Sequence, residues 1–268
     1  MAPIGDESHV ALSRVALAFG RRVVFRELCC EFPRGRISVI MGGSGSGKST
    51  ILRLIGGLLQ PDAGSVWVAG TDVASLGASE LGKLRQRLGM QFQNGALLDS
   101  MTVFENVALP LREHARLSEE EIRERVHARL ESVGLTDVDG LLPGELSGGM
   151  LRRVAFARAI VMAPEIVLCD EPFSGLDPPN VSRIEALLIR LNRELGLTVI
   201  VTSHHMATSL RMAERLVLLQ DGQALAGSPA ELAASGDSSI AEFIGEDGAA
   251  YLARLHEAGE AGRGGVPT

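Results

Sequence analysis

The sequence predicts an α/β protein, a sheet of buried strands covered by helices, and three features point to it. Apolar residues make up 46% of the 268 and aromatics only 4%, the aliphatic balance of such a sheet. Residues 37–41 form a short apolar run that passes through a Gly/Ser-rich turn into Ile51, Leu52, Leu54, Ile55 and Leu58 at helical spacing. Farther on, residues 166–170 form another continuous apolar run, the mark of a strand buried on both faces. A chain of this length has ample core to fold alone, as one large or two small domains.

In chain order, residues 10–32 alternate loosely between apolar and polar side chains around a Gly20-Arg21-Arg22 break, the pattern of two antiparallel strands. Phe19 precedes that turn, and its spacing admits two readings, stacking on a nucleotide base or plain core packing. After the helix that follows residue 50, Pro61, Asp62, Ala63 and Gly64 make a turn into a strand at 65–69. Residues 76–84 read as a helix and 88–92 as a short buried strand ending at Gln93. From Asn94 to about Leu142 the apolar strand pattern gives way to helices at 103–109 and 118–133. The second opens on Ser118 and Glu121, a capping box. A helix at 149–162 stops at Pro164, and the strand at 166–170 follows. Then come a helix at 181–195, a strand at 198–203, a helix at 206–213, and a hairpin of 215–220 with 223–226 around Asp221-Gly222. Beyond residue 236 the composition turns acidic and Gly-rich, and the last nine residues are expected to be disordered.

Chemistry concentrates in the turn at 42–50. Gly42, Gly47, Lys48 and Ser49 occupy the fixed places of G-x-x-x-x-G-K-[ST], between a strand and a helix. Glycines let successive backbone N–H groups curl around a phosphate, and the helix turns its positive end to the same anion. Gly42, Gly43, Ser44, Gly45, Ser46, Gly47, Lys48, Ser49 and Thr50 therefore form a candidate nucleoside triphosphate cradle. In it Lys48 reaches the outer phosphates, Ser49 offers a hydroxyl to Mg²⁺, and Thr50 bonds an inner phosphate. A flexible Gly/Ser linker would lack the flanking strand and apolar helix.

The strand at 166–170 ends in Asp170 and Glu171. Placed beside the cradle strand, Asp170 would hold Mg²⁺, directly or through water, and Glu171 would polarise an attacking water. Paired carboxylates at a strand end also arise by chance, so this reading leans on the cradle. Leu146-Ser147-Gly148-Gly149-Met150 opens a helix and reads either as a second anion site or as a Ser N-cap beside flexible glycines. As an anion site it would act within one chain or across two copies meeting head to tail.

The net charge of −7 argues against a nucleic-acid partner. Cys29, Cys30 and Cys169 lie in apolar runs without metal-ligand spacing, so buried free thiols in a reducing cytoplasm are expected, with Cys29 and Cys30 on opposite strand faces. The opening MAPIGDESHV has neither a basic nor an apolar leader region, so no secretory signal is expected. No run approaches ~18 apolar residues, so a partner would supply any membrane-spanning helices.

LSGG about a hundred residues after the cradle, followed at once by LRRVAFARAI and later by a strand ending in Asp170-Glu171-Pro172, resembles the ATP-binding subunit of ABC transporters over about 12–227. The resemblance implies a P-loop NTPase fold, a RecA-like core with an antiparallel β subdomain and an inserted ABC-type helical subdomain at about 94–160. It divides the chain into an ATPase domain at 1–236 and a C-terminal extension at 237–268. It implies that Phe19 stacks on adenine and that Gln93 serves near the Mg²⁺ and the γ-phosphate. Ser147, Gly148 and Gly149 become the signature, with Asp177 in the Ser174-Gly175-Leu176-Asp177 loop and His204 as the switch histidine. Two ATP molecules would then sit at a head-to-tail dimer interface, with Ser147 and Gly149 of one copy facing the phosphate held by Lys48 of the other.

MGGSGSGKSTILRLIGG, QNGALLDSMTVFENVALPLREH and LPGELSGGMLRRVAFARA are more narrowly similar to the ATPase of Mla (maintenance of lipid asymmetry) phospholipid transporters, relatives of the Mce systems. Met150, where most ABC ATPases have Gln, fits that group. That likeness implies a membrane permease, a lipid-carrying MCE-domain protein, a possible STAS-like subunit, and a seat on the cytoplasmic face of a bacterial inner membrane. Gly43 stands where Pro is common, and His205 where Asp is usual. An ABC ATPase for another substrate, or one that regulates and transports nothing, is the alternative. A soluble P-loop kinase would leave LSGG without a role, and a structural-maintenance ATPase would need a long coiled coil that the interval lacks. Leu97, Leu98, Met101 and Phe104 are apolar for a segment leaving the core, so they either floor a cleft for a permease helix or pack the insertion on itself. In the tail, Ile240, Phe243 and Ile244 make one short apolar face and Tyr251, Leu252 and Leu255 another, to be buried on their own domain or on a second copy.

Overall fold

The computed structural model describes residues 7–235 and Ile240. Its strands are β1 (Ser8–Phe19), β2 (Arg22–Pro33), β3 (Ile37–Gly42), β4 (Ala63–Val68), β5 (Thr71–Asp72), β6 (Leu88–Gln91), β7 (Ile166–Asp170), β8 (Thr198–Thr202), β9 (Arg215–Gln220) and β10 (Gln223–Gly227). The helices are α1 (Lys48–Ile55), α2 (Ala78–Gln86), α3 (Val103–His114), α4 (Glu119–Ser132), α5 (Gly148–Ile160), α6 (Pro178–Leu195), α7 (Met206–Met212) and α8 (Pro229–Ala234).

The strands form two sheets, a four-stranded one ordered β2-β1-β4-β5 and a six-stranded one ordered β10-β9-β3-β8-β7-β6. Strands of the small sheet pair antiparallel; β9, β3, β8, β7 and β6 run parallel, and β10 closes the edge as an antiparallel hairpin. That hairpin turns on Asp221 (φ 51°) and Gly222 (φ 76°), the two positive φ values of a twist-compatible turn. Every residue of β3, β7 and β8 is buried, which explains their unbroken apolar character.

Helix α1 lies between the sheets. Its Ile51, Leu52, Leu54 and Ile55 are fully buried and join one core with Phe25, Phe32 and Leu28 of the small sheet and Ile40, Leu168 and Ile200 of the large one. Burying four such side chains stabilises the sandwich by about 1.5–3 kcal/mol each. The other face of the large sheet carries the second core, under α3 to α6. There α5 buries Val154, Ala155, Phe156, Ala157 and Ile160 around most of its circumference, so it lacks a clean apolar stripe.

Several expectations are corrected. β7 does not lie beside β3, because β8 runs between them. The helix expected at 103–109 continues to His114 through Pro110. Its start is fixed by a capping box of Thr102 and Glu105, and by the buried Asn106 amide, which donates to Leu98 O, Met101 O and Thr102 O. Cys29 is exposed, not buried, while Cys30 and Cys169 are buried, so the neighbouring thiols do face opposite ways. Burial pushes the Cys30 thiol up to about 12 and raises Cys169 as well. Leu97 and Phe104 pack against the larger core, whereas Leu98 is exposed. Among the described residues no helix is long and apolar enough to cross a membrane. Ile240 is buried in the larger core; Phe243, Ile244, Tyr251, Leu252 and Leu255 lie outside the described residues.

Candidate nucleotide site

Strand β3 ends at Gly42, and the chain turns at once: Ser46 N–H donates to Gly43 O at 3.2 Å, with Gly45 (φ +76°) in the third position of the turn. Gly47 (φ +104°) precedes α1, and a Cβ there would meet the Phe25 ring at 2.5 Å. Only glycine satisfies both the backbone and that close packing. The first amides of α1 then have no partner within the helix, as at any helix start. Lys48 Nζ donates to Gly42 O (2.9 Å) and Gly43 O (3.1 Å) and stands 3.9 Å from Glu171 Oε1. Burial holds its pKa below the ordinary lysine value, against the opposing pull of Glu171 and Asp170.

The two carboxylates at the end of β7 have different surroundings. Asp170 Oδ1 accepts from Ser49 Oγ (2.8 Å) and Thr202 Oγ1 (2.7 Å). Thr202, at the end of the intervening β8, also accepts from Glu171 N–H at 2.9 Å. One buried hydroxyl thus ties both acidic residues to the next strand. Glu171 sits in the left-handed region (φ +48°), a conformation that costs a non-glycine residue about 1–3 kcal/mol and is retained where neighbours over-determine it. Its side chain is buried, and Oε1 has no hydrogen-bond donor aligned on it although His204 Nε2 lies 3.0 Å away. Burial raises the Glu171 pKa; His204 and Lys48 pull it down and Asp170 pushes it further up. A carboxylate of this kind is suited to take a proton from water.

Ser203 sets the direction of the two histidines. Its N–H donates to Ile40 O, and its Oγ accepts from His205 N–H at 2.9 Å. His204 is thereby left facing Glu171, while the His205 ring sits edge-on to Phe173 with centroids 5.9 Å apart.

These groups open on a cavity of about 320 Å³ lined by Phe19, Arg22, Ser44, Gly45, Gly47, Lys48, Ser49, Thr50, Gln93, Glu171 and His204 among others. Phe19 is 51% exposed, which sets aside core packing for it. Gly43 and Ser46 line instead an adjoining cleft of about 910 Å³ with Arg22 and Arg26. Ser49 and Asp170 bring two hard oxygens together at the cavity's edge, the donor chemistry of Mg²⁺. Among the described residues no group of three or more His, Cys, Asp or Glu side chains is arranged to hold a metal ion.

Ser147, Gly148 and Gly149 are not among the residues lining that cavity. Ser147 Oγ accepts from Met150 N–H at 3.3 Å, so in the single chain it is an N-cap. Gly149 lies against α6, where a Cβ would come within 2.8 Å of Asn180 Oδ1. Asp177 caps α6 by accepting from Asn180 N–H at 3.0 Å. The starts of α5 and α6 therefore form one paired surface, with Ser147 and Gly148 exposed on it. Arg152, farther along α5, donates to Ser174 O at 3.0 Å and ties that surface to the chain leaving Glu171.

One residue of the site was passed over in the sequence. Thr202 had no signal beyond a hydroxyl at the end of an apolar strand. A third cavity, a cleft of about 540 Å³, is lined by Met90, Phe92, Leu109, Pro110, His114 and Met162 among others; Leu97, Leu98, Met101 and Phe104, expected to floor such a cleft, are not among its lining residues. Arg158 of α5 walls it and donates to Gly95 O and Ala96 O, both at 2.7 Å, so the turn after Gln93 is pinned to the helix that Ser147 begins.

Residues 25–174 match the family model described as ABC transporter. The chain is 41% identical over 240 residues, 89% of its length and 91% of the relative's, to the intermembrane phospholipid transport system ATP-binding protein MlaF of Haemophilus influenzae. It is 42% identical to MlaF of Escherichia coli K12, over 88% of each chain. A solved dimeric post-hydrolysis state of the ATP-binding cassette MJ0796, bound to ADP and Pi, superposes with a TM-score of 0.75 at 36% identity, covering 82% of this chain and 98% of that one.

Proposed function

This chain belongs to the ABC transporter family, and from that membership we propose that it is the ATP-hydrolysing subunit of a system moving phospholipid between the inner and outer membranes of a bacterium. The observation that carries the hydrolytic part is the buried Glu171 carboxylate, held 3.9 Å from the Lys48 ammonium and 3.0 Å from His204. In this reading the base of ATP stacks on Phe19, and its phosphates lie along the amides at 44–50 with Lys48 on the outer ones. Glu171 accepts a proton from the attacking water, His204 orients the γ-phosphate, and Gln93 closes the same side. Ser49 and Asp170, with Gln93, would hold Mg²⁺, which when bound neutralises phosphate charge.

A second copy completes the site head to tail. Its Ser147, Gly148 and Gly149 supply helix-end amides to the γ-phosphate and its Asp177 loop lies alongside, placing donors where negative charge develops. Support comes from the exposure of Ser147 and Gly148 on a surface away from their own cavity, and from the dimeric state of the related cassette. The cleft at Phe92, Leu109 and Met162 would receive an integral membrane permease, seating the chain on the cytoplasmic face of the inner membrane. An MCE-domain lipid carrier and a STAS-like subunit complete the proposed assembly, by likeness to the Mla systems.

Mass spectrometry of the intact complex extracted in detergent through a tag on this chain tests the reading. Two copies of the chain with a multi-spanning protein and bound phospholipid are expected. A complex free of phospholipid, or the chain without a membrane protein, would overturn it.

A further inference from the structure

Phe19 and Arg22 are paired across the turn between β1 and β2, so the register of one hairpin places an exposed aromatic ring and a guanidinium on the same side. From there Arg22 reaches the crest of the phosphate loop, where Nη2 donates to Gly45 O at 2.8 Å. Gly45 is the positive-φ residue of the loop's turn, and a methyl on it would come within 2.7 Å of the Arg22 guanidinium. Arg22 lines both the cavity shared by Phe19 and Lys48 and the adjoining cleft, so it stands between the base platform and the phosphate loop. A guanidinium carries five N–H donors in a fixed fork, and Gly45 occupies only one of its nitrogens.

Resting on the nucleotide reading above, we infer that Arg22 is a nucleotide-binding residue for the inner phosphate. One edge of its fork fixes the loop crest through Gly45, and the other meets the phosphate nearest the sugar. The chemistry favours this over a loop brace alone. The expected ligand is polyanionic, and Lys48 is already committed to the outer end of the cavity by its bonds to Gly42 and Gly43. A hairpin that carries both the base platform and this cation would bind base and inner phosphate as one unit, independently of the outer phosphate. A product diphosphate would therefore be held at the same place as the triphosphate.

The test is ADP binding by the full chain, measured by calorimetry and by ³¹P NMR of the bound nucleotide, for the native, Arg22→Ala and Arg22→Lys proteins. Arg22→Ala is expected to weaken ADP affinity by at least about tenfold, the loss of one charge-assisted contact. Arg22→Lys, which keeps charge without the fork, should lose roughly threefold. In both variants the α-phosphorus resonance moves while the β-phosphorus resonance stays in place. Affinity within about twofold of native in Arg22→Ala, or α and β resonances that move together, would overturn the inference and leave Arg22 as a loop brace. Failure of the native chain to bind ADP would instead strike the nucleotide reading itself.

Discussion

His204 Nε2 lies 3.0 Å from Glu171 Oε1, in the wall of the cavity that Lys48 also lines. The contact joins the ends of two adjacent parallel strands, β7 and β8, and only their shared register brings it about. It puts an imidazole ring beside a buried carboxylate whose Oε1 has no aligned hydrogen-bond donor.

Replacing that carboxylate separates binding from turnover. The Glu171→Gln protein should bind ATP with near-native affinity yet hydrolyse it about 10²–10⁴-fold more slowly, accumulating an ATP-bound dimer visible by light scattering. Near-native turnover would remove Glu171 as the base.

The pH dependence follows from the direction of the Glu171 shift. Burial raises its pKa, so the ionised base is lost as pH falls through a value above the ordinary glutamate range. The acid limb of kcat/KM against pH should therefore lie above about 4.3 and vanish in Glu171→Gln. The stability linkage has the matching sign. A carboxyl whose folded pKa is raised favours folding at low pH, and that contribution is lost as pH rises through the folded value. At neutral pH the Glu171→Gln protein should thus be no less stable than the native one, by thermal unfolding.

The adjacent histidines should differ. Only His204 faces Glu171, whereas His205 sits edge-on to Phe173. Steady-state assays should show hydrolysis abolished by His204→Ala and largely retained in His205→Ala. The opposite ranking would mean that the register at the end of β8 is misassigned.

Thr202 tests the frame under the site. Thr202→Val keeps shape but deletes the bond to Asp170 Oδ1 and strands the Glu171 N–H, which costs about 1–3 kcal/mol for a buried group. A lowered melting temperature together with at least about tenfold slower hydrolysis is expected, since Glu171 loses the contact that holds its positive φ. Unchanged kinetics in a destabilised protein would confine Thr202 to folding.

Legibility in the sequence divides along physical lines. The run from β3 through the cradle to α1 was readable because burial on both faces, glycine spacing and helical periodicity are all local. The capping box at Ser118 was readable for the same reason, and it appears as Ser118 N–H to Glu121 Oε2 at 2.8 Å. What local pattern could not convey was the order of strands: β8 between β3 and β7 is a non-local outcome, and with it the bridging role of Thr202. The helix expected at 103–109 runs on to His114 through Pro110, because capping by Thr102 and burial of Val107, Ala108 and Leu111 hold it on both sides of the proline. The exposed Ser147 end of α5 is a different case, since a surface completed by a second copy has no partner to read in one chain.

The most direct test of the account is phospholipid movement by the membrane complex purified through this chain and placed in proteoliposomes. With ATP and Mg²⁺, the native complex should transfer labelled phospholipid between membranes, and the complex carrying Glu171→Gln should not, although both bind ATP. ATP hydrolysis by the native complex with no phospholipid transfer above the Glu171→Gln level would contradict it.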